Sequence, residues 1–206
     1  MPGQNIIKEY VTDSFYHAYN RGVDKREVFI DDGDYRTFLN LFKRYLSNKT
    51  IKDPQGRPYK SLHNDIELAA YCLMPNHYHL LLYQKNPNAI TDLLQRVMTA
   101  YVGYFNKKQR RSGRLFQERY RASHIYNEAY LWHISRYIHL NPLDLGVSYA
   151  DYPYSSYAYY VSRSPSWLKP DRILDMFEDS QSDYETFLKD YRDYRNTLNE
   201  VKLELA

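Results

Sequence analysis

The sequence predicts an α+β fold of the ferredoxin-like or RRM-like kind: an antiparallel sheet with two helices on one face, a tyrosine-bearing helix near the open face, and a C-terminal helical extension. Three observations point to it. Apolar residues recur with strand or helix spacing in the order β, α, β, β, α, β and then α. Only Met74, Pro75 and Asn76 separate the two central strand patterns, which makes those strands antiparallel neighbours. The length, 206 residues, suits one core domain with an appendage rather than two full domains.

Residues 15–22 read as a strand ending at Gly22. Residues 31–47 carry Tyr35, Phe38, Leu39, Phe42 and Leu46 at helical spacing, with Asp31 or Asp32 placed to cap the N-terminus. Residues 48–64 centre on Asp53-Pro54-Gln55-Gly56-Arg57-Pro58, the chemistry of a loop or irregular hairpin. Strands follow at 66–73 and 77–83, and Pro75, which cannot donate to a ladder, suits the turn between them. Residues 88–107 place Ile90, Leu93, Leu94, Val97, Met98, Tyr101, Val102 and Phe105 on one helical stripe. A strand over 119–126 and a helix over 127–140, capped by Asn127, complete the core. Beyond Pro142, residues 149–160 are rich in Tyr, Ser and Pro, and 170–205 read as one or two acidic amphipathic helices. The expected division is a main domain over 1–160 and an acidic extension over 161–206.

No stretch approaches the ~20 apolar residues of a membrane span, and the N-terminus lacks a signal pattern, so a cytoplasmic, membrane-free protein is expected. A lone cysteine, Cys72, excludes an internal disulfide and a Cys-based zinc cluster, leaving histidine and oxygen as metal ligands. The 24 tyrosines offer flat hydrogen-bonding faces that suit base stacking and also half-buried seams. The chain carries +3; residues 171–206 carry −5, which leaves +8 on residues 1–170. The basic character therefore belongs to the main domain.

Chemistry concentrates in two places. His77 and His79, two apart on a strand, point to one face and present two nitrogen ligands directly after a turn, with Leu80, Leu81 and Leu82 fixing the strand behind them. Most such pairs in proteins are ordinary half-buried residues; the position after the turn favours a site. Imidazole with a neutral oxygen donor suits manganese, magnesium or other borderline divalent ions, and a histidine-based site also admits zinc. Tyr137 and Asn141 lie one helical turn apart, and Pro142 places Asn141 at the helix C-cap, whose partial negative charge favours a cation. Asn141 is thus a candidate third ligand and Tyr137 a candidate nucleophile. His133, a turn earlier, is a candidate to position Tyr137 or a phosphate, although a helix-packing role is the commoner one for such a residue.

Lys107, Lys108, Arg110, Arg111, Arg114, Arg119 and Arg121 form a run of seven cations against one acid, Glu118. Charge runs are usually solvated faces, but Tyr104, Phe105, Phe116 and Tyr120 interleave with this one, as in a groove that tracks phosphates and stacks bases. Arg21, Lys25 and Arg26 extend it.

Over residues 10–160 the chain resembles the single-tyrosine HUH transposases, most nearly the REP-associated tyrosine transposases. The resemblance rests on Tyr16-His17-Ala18-Tyr19-Asn20-Arg21-Gly22, on Tyr71-Cys72-Leu73-Met74-Pro75-Asn76-His77-Tyr78-His79-Leu80-Leu81-Leu82, on Phe116-Gln117-Glu118-Arg119-Tyr120-Arg121, and on Tyr137-Ile138-His139-Leu140-Asn141-Pro142. It implies that Tyr137 attacks a phosphodiester of single-stranded DNA, forming a 5′-phosphotyrosine and releasing a 3′-hydroxyl. It implies a divalent ion, Mg or Mn, on His77, His79 and Asn141, and hairpins of palindromic repeats as DNA partner for a monomer or homodimer. Some relatives carry glutamine where Asn141 stands. Two rivals make different predictions: an inactive RRM-like single-strand-binding module, for which His77, His79 and Tyr137 are dispensable, and a metal-dependent hydrolase, which forms no covalent protein–DNA adduct.

Overall fold

A computed structural model describes residues 10–162 and 167–190. Four strands, β1 (Ser14–Arg21), β2 (Ile66–Met74), β3 (His77–Gln84) and β4 (Arg121–Ile125), form one antiparallel sheet in the order β2-β3-β1-β4. Helices α1 (Asp32–Leu46) and α2 (Ala89–Lys108) link the halves of this β-α-β-β-α-β unit, and α3 (Glu128–Leu140) follows it. The expected α+β class and strand pairing are those observed.

Each helix start has a chemical cause. Asp31 accepts from the Asp34 amide while the Asp34 carboxylate accepts from the backbone of Asp31, closing a capping box on α1. The buried Gln84 amide oxygen accepts from Ile90 N at 3.0 Å at the start of α2. Asn127 accepts from Tyr130 N at 2.7 Å at the start of α3.

Alternation along the strands divides the interior in two. Tyr78, Leu80 and Leu82 face α1 and α2, packing with Phe38, Phe42, Leu93, Leu94 and Tyr101. Leu81 faces the other way and packs with Ile134, Tyr137 and Ile138 of α3. A bulge between Leu68 and Ala70 leaves small residues on that face, and Tyr160 of α4 (Tyr157–Ser162) closes over them, its hydroxyl donating to Ala69 O at 2.9 Å. The C-terminal part contributes α5 (Asp171–Leu174) and α6 (Ser180–Lys189), whose Ile173, Leu174, Tyr184 and Leu188 join the same core. The helical pattern expected beyond residue 190 lies outside the described residues.

The Tyr- and Ser-rich segment after α3 covers the free edge of β2. Leu73 N donates to Tyr154 O, Ser156 N donates to Tyr71 O, and the Tyr152 hydroxyl donates to Leu73 O. The start of β4 differs from expectation. β4 starts at Arg121 rather than 119, because Asn20 Nδ2 donates to the carbonyls of Glu118 and Arg119 and diverts that backbone from the ladder. Asn141 is the C-cap of α3, as expected, but with helical dihedrals, φ −51 and ψ −37, and the chain runs on into a 3-10 turn over Asn141–Leu145.

Glu67 of β2 anchors α5. It meets Lys85 at 2.5 Å and Arg172 at 2.6 Å. Burial raises its pKa, but the bonds from Arg172 and Lys85 outweigh burial and the net shift is downward. A carboxylate with a lowered folded-state pKa stabilises the fold above its unfolded value and loses that contribution as pH falls through the folded one. Glu67→Gln is therefore expected to cost about 1 kcal/mol near neutrality, a modest figure because both cations are partly solvated. Thermal melts from pH 7 to 3 should show the difference from wild type vanishing at the acid end.

Candidate active site

The turn after β2 starts β3 with His77, and the two-residue strand period sets His79 on the same face. Opposite stands α3, whose last turn carries Tyr137 and runs into Asn141. The result is a cleft of about 420 Å³ whose lining includes His77, His79, Tyr137, Asn141, Arg21 and Arg121. The Tyr137 hydroxyl lies 3.5 Å from His79 Nε2, and Asn141 Oδ1 lies 3.3 Å from His77 Nε2. Asn141 Nδ2 donates back to Tyr137 O at 3.2 Å, which fixes the amide with its oxygen toward the imidazole. The edges of the rings are set by packing: His79 and Tyr137 meet at 5.1 Å and 80°, His77 and His79 at 5.0 Å and 86°.

Burial is the main electrostatic force here. It lowers His77 to about 4, with the cation of Arg21, its cross-strand partner, adding to the shift and Asn141 opposing it. Burial also pushes His79 well below its ordinary value, helped by His77, His17 and Arg21. Both rings are thus neutral, with lone pairs to offer, near pH 7. The Tyr137 phenol is raised, first by burial and then by the Asp144 charge, while Asn141 and Arg21 pull it down. The hydroxyl therefore keeps its proton until something in the cleft removes it.

The donor set fits a small divalent ion. Cis ligands of an octahedral ion at about 2.1 Å lie ~3.0 Å apart, close to the 3.3 Å between His77 Nε2 and Asn141 Oδ1. Among the described residues no group of three or more His, Cys, Asp or Glu side chains is arranged to hold a metal, so an ion held here would rely on the two imidazoles and the amide oxygen.

Residues 58–141, which span both imidazoles, Tyr137 and Asn141, match the family described as "Transposase IS200 like". The match takes in less than half of the chain. The solved structure of a REP-associated tyrosine transposase bound to a REP hairpin is similar to it in fold, with TM-score 0.58 at 13% identity over 81% of this chain and 94% of that one. A crystal structure of a candidate transposase from Deinococcus radiodurans R1 matches with TM-score 0.40 at 17% identity, covering 67% of this chain and 95% of that one. No curated protein matches. Among the described residues no helix is long and apolar enough to cross a membrane.

The basic residues divide by position. Arg21 and Arg121 line the cleft, whereas Lys25, Arg26, Lys107, Lys108, Arg110, Arg111, Arg114 and Arg119 do not. Lys108 is held by the carboxylates of Asp31 and Asp34, at 2.7 and 2.6 Å, and ties α2 to the start of α1. Arg111 donates to Asn106 and to the Arg114 carbonyl. Lys25 sits beside the β2–β3 turn, where its carbonyl accepts from Asn76. His133 is half-buried on α3 and does not line the cleft.

Sequence reasoning passed over two groups. Asp144 lines the cleft from the 3-10 turn, and only its spacing of three from Asn141 hinted at this. His17 lies behind His79, with Nε2 at 2.9 Å from His79 Nδ1, a contact that depends on the β1–β3 register.

Proposed function

We propose that this protein is a transposase of the IS200-like kind that cleaves single-stranded DNA at hairpins of palindromic repeats and rejoins it through a 5′-phosphotyrosine on Tyr137. The observation that carries the reading is the convergence of the Tyr137 hydroxyl with His79 Nε2, His77 Nε2 and Asn141 Oδ1 in a cleft that also holds two arginines. In this scheme the Tyr137 oxygen bonds to the scissile phosphorus, the bond to the 3′-oxygen breaks, and that oxygen leaves as a hydroxyl after taking a proton. The phenolic proton leaves to water or to a base of the cleft as that bond forms; Asp144 is the carboxylate whose charge acts on Tyr137 there. Because the phosphotyrosine conserves the bond, attack by another 3′-hydroxyl rejoins the strand without a nucleotide cofactor.

His77, His79 and Asn141 would hold a divalent ion, Mg or Mn, whose chemistry is Lewis-acid stabilisation of charge on the phosphate. Arg21 and Arg121 orient the phosphate by charge-assisted hydrogen bonds. Lys25, Arg26, Lys107, Arg110, Arg114 and Arg119 are assigned to the DNA strand beyond the cleft, while Lys108 and Arg111 serve the fold first. Catalysis is assigned to residues 1–160, and a bracing role to the described part of the 161–206 extension, residues 167–190. The active unit is assigned as a monomer or a homodimer, and the place of action as the cytoplasm.

The test is a labelled single-stranded hairpin from the flanks of the gene, run on a denaturing gel after incubation with Mg²⁺ or Mn²⁺. Cleavage is expected with either ion. EDTA should abolish it while leaving hairpin affinity within a few-fold, since phosphate contacts from Arg and Lys dominate binding. Cleavage that survives EDTA would remove the ion from the scheme, and binding without cleavage under every condition would favour the inactive module.

A further inference from the structure

Both imidazoles of the cleft have their outer ring nitrogen engaged, but by partners of different kinds. His77 Nδ1 meets the Asn76 amide oxygen at 2.6 Å, and Asn76 is half-buried, within reach of water. His79 Nδ1 meets Nε2 of His17 at 2.9 Å, and these rings are shut away from solvent, at 2% and 1% exposure. His17 stands on β1 opposite Leu81, which makes it the diagonal neighbour of His79 across the β1–β3 pair. The two rings lie nearly parallel, 21° apart, and both meet the Tyr137 ring edge-on.

With both rings neutral, one hydrogen lies between the two nitrogens, and its owner decides what His79 can do. Were it bonded to His17 Nε2, His79 would carry its own hydrogen on Nε2, the atom facing Tyr137, and would have no lone pair there. Donated by His79 Nδ1, it leaves the Nε2 lone pair aimed into the cleft. We infer that His17 is a positioning residue for His79: it accepts the Nδ1 hydrogen and thereby fixes the ring and the tautomer that presents Nε2 to an ion. The inference rests on the reading of His77, His79 and Asn141 as ion-holding side chains. Metal-ligating histidines are oriented in this way by a carboxylate, a carbonyl or water. An imidazole does the same without bringing negative charge to the site. The contact sits too deep for water to replace it, unlike the one Asn76 makes. A simple packing role for His17 makes the opposite forecast, since any ring of similar size then serves.

The test uses Mn²⁺ alone as probe, without DNA, and follows the free-ion electron paramagnetic resonance signal as the ion is added to wild type, His17→Phe and His17→Gln. Phe keeps the ring and removes the acceptor; Gln returns an amide oxygen near the position of Nε2. His17→Phe is expected to weaken Mn²⁺ binding about 10- to 100-fold, with His17→Gln recovering most of it at unchanged near-ultraviolet circular dichroism. Equal affinity of His17→Phe and wild type would overturn the proposal and leave the ion reading standing. Wild type that takes up no Mn²⁺, with His77→Ala and His79→Ala indifferent, would overturn both. Should His17→Phe fail to fold, long-range ¹H–¹⁵N correlation of Mg²⁺-loaded wild type locates the hydrogen directly. His79 protonated at Nδ1 supports the proposal, and His79 protonated at Nε2 overturns it.

Discussion

Tyr137→Phe is expected to lose strand cleavage by on the order of 10⁴-fold or more, the scale at which removing a covalent nucleophile acts, while its fold and its hairpin affinity stay close to wild type. The reason lies in how little the hydroxyl does for stability. Tyr137 is 5% exposed, yet the contact of its oxygen with His79 is a long 3.5 Å. The ring packs against His79 and His17, and Phe preserves both contacts. Loss of so weak a bond costs no more than about 1 kcal/mol. Phosphate contacts are assigned to Arg21 and Arg121, so hairpin binding by fluorescence anisotropy should not move. A variant that retains cleavage within tenfold would mean that the attacking oxygen belongs to another group.

The second large effect is on stability. The helix that carries Tyr137 is braced from behind by the C-terminal part of the chain. His139, two residues on and fully buried, bonds the Tyr184 hydroxyl through Nδ1 at 2.6 Å and Ser156 Oγ through Nε2 at 2.7 Å. Ser156 Oγ in turn accepts from Tyr71 N at 2.8 Å, so one polar chain links α6, α3 and β2. Tyr184→Ala removes a buried ring that packs on Tyr160, Phe177 and Phe187 and strands one nitrogen of His139. The expected cost is about 3–5 kcal/mol, which lowers the melting temperature by roughly 10 °C. Tyr184→Phe keeps the ring and loses only the hydroxyl, for about 1–3 kcal/mol. The ordering of the two variants in thermal and urea unfolding separates packing from hydrogen bonding. Equal, near-wild-type melts would mean that α6 is dispensable to the fold. The acidic extension packs here, behind the helix that carries Tyr137, rather than over the cleft as far as it is described.

What could be read from the sequence was local. His77 and His79 share a face because strand residues two apart always do, and Tyr137 stands above Asn141 because helix residues four apart do. The αβ order followed from the same periodicities, and it specified a sheet with one face free to receive α3. The groups that escaped depend on pairings that no local pattern encodes. His17 sits in an ordinary strand until the β1–β3 register brings it diagonal to His79. Asp144 enters the cleft because the chain passes Pro142 in a 3-10 turn instead of breaking at Asn141. Lys108 looked like one more cation in a basic run, and only the approach of α2 to α1 gives it to Asp31 and Asp34. The first residues of the expected fourth strand were lost to a side chain, Asn20, bonding the carbonyls of Glu118 and Arg119.

The most direct test of the account is to trap the reaction on a hairpin strand cut so that the released 3′-fragment cannot return, then digest the protein and map the adduct by mass spectrometry. The account predicts a peptide carrying the DNA 5′-phosphate on Tyr137, formed only with a divalent ion present. Cleavage that yields free 5′-phosphate ends and no modified peptide would contradict it and assign the chemistry to water.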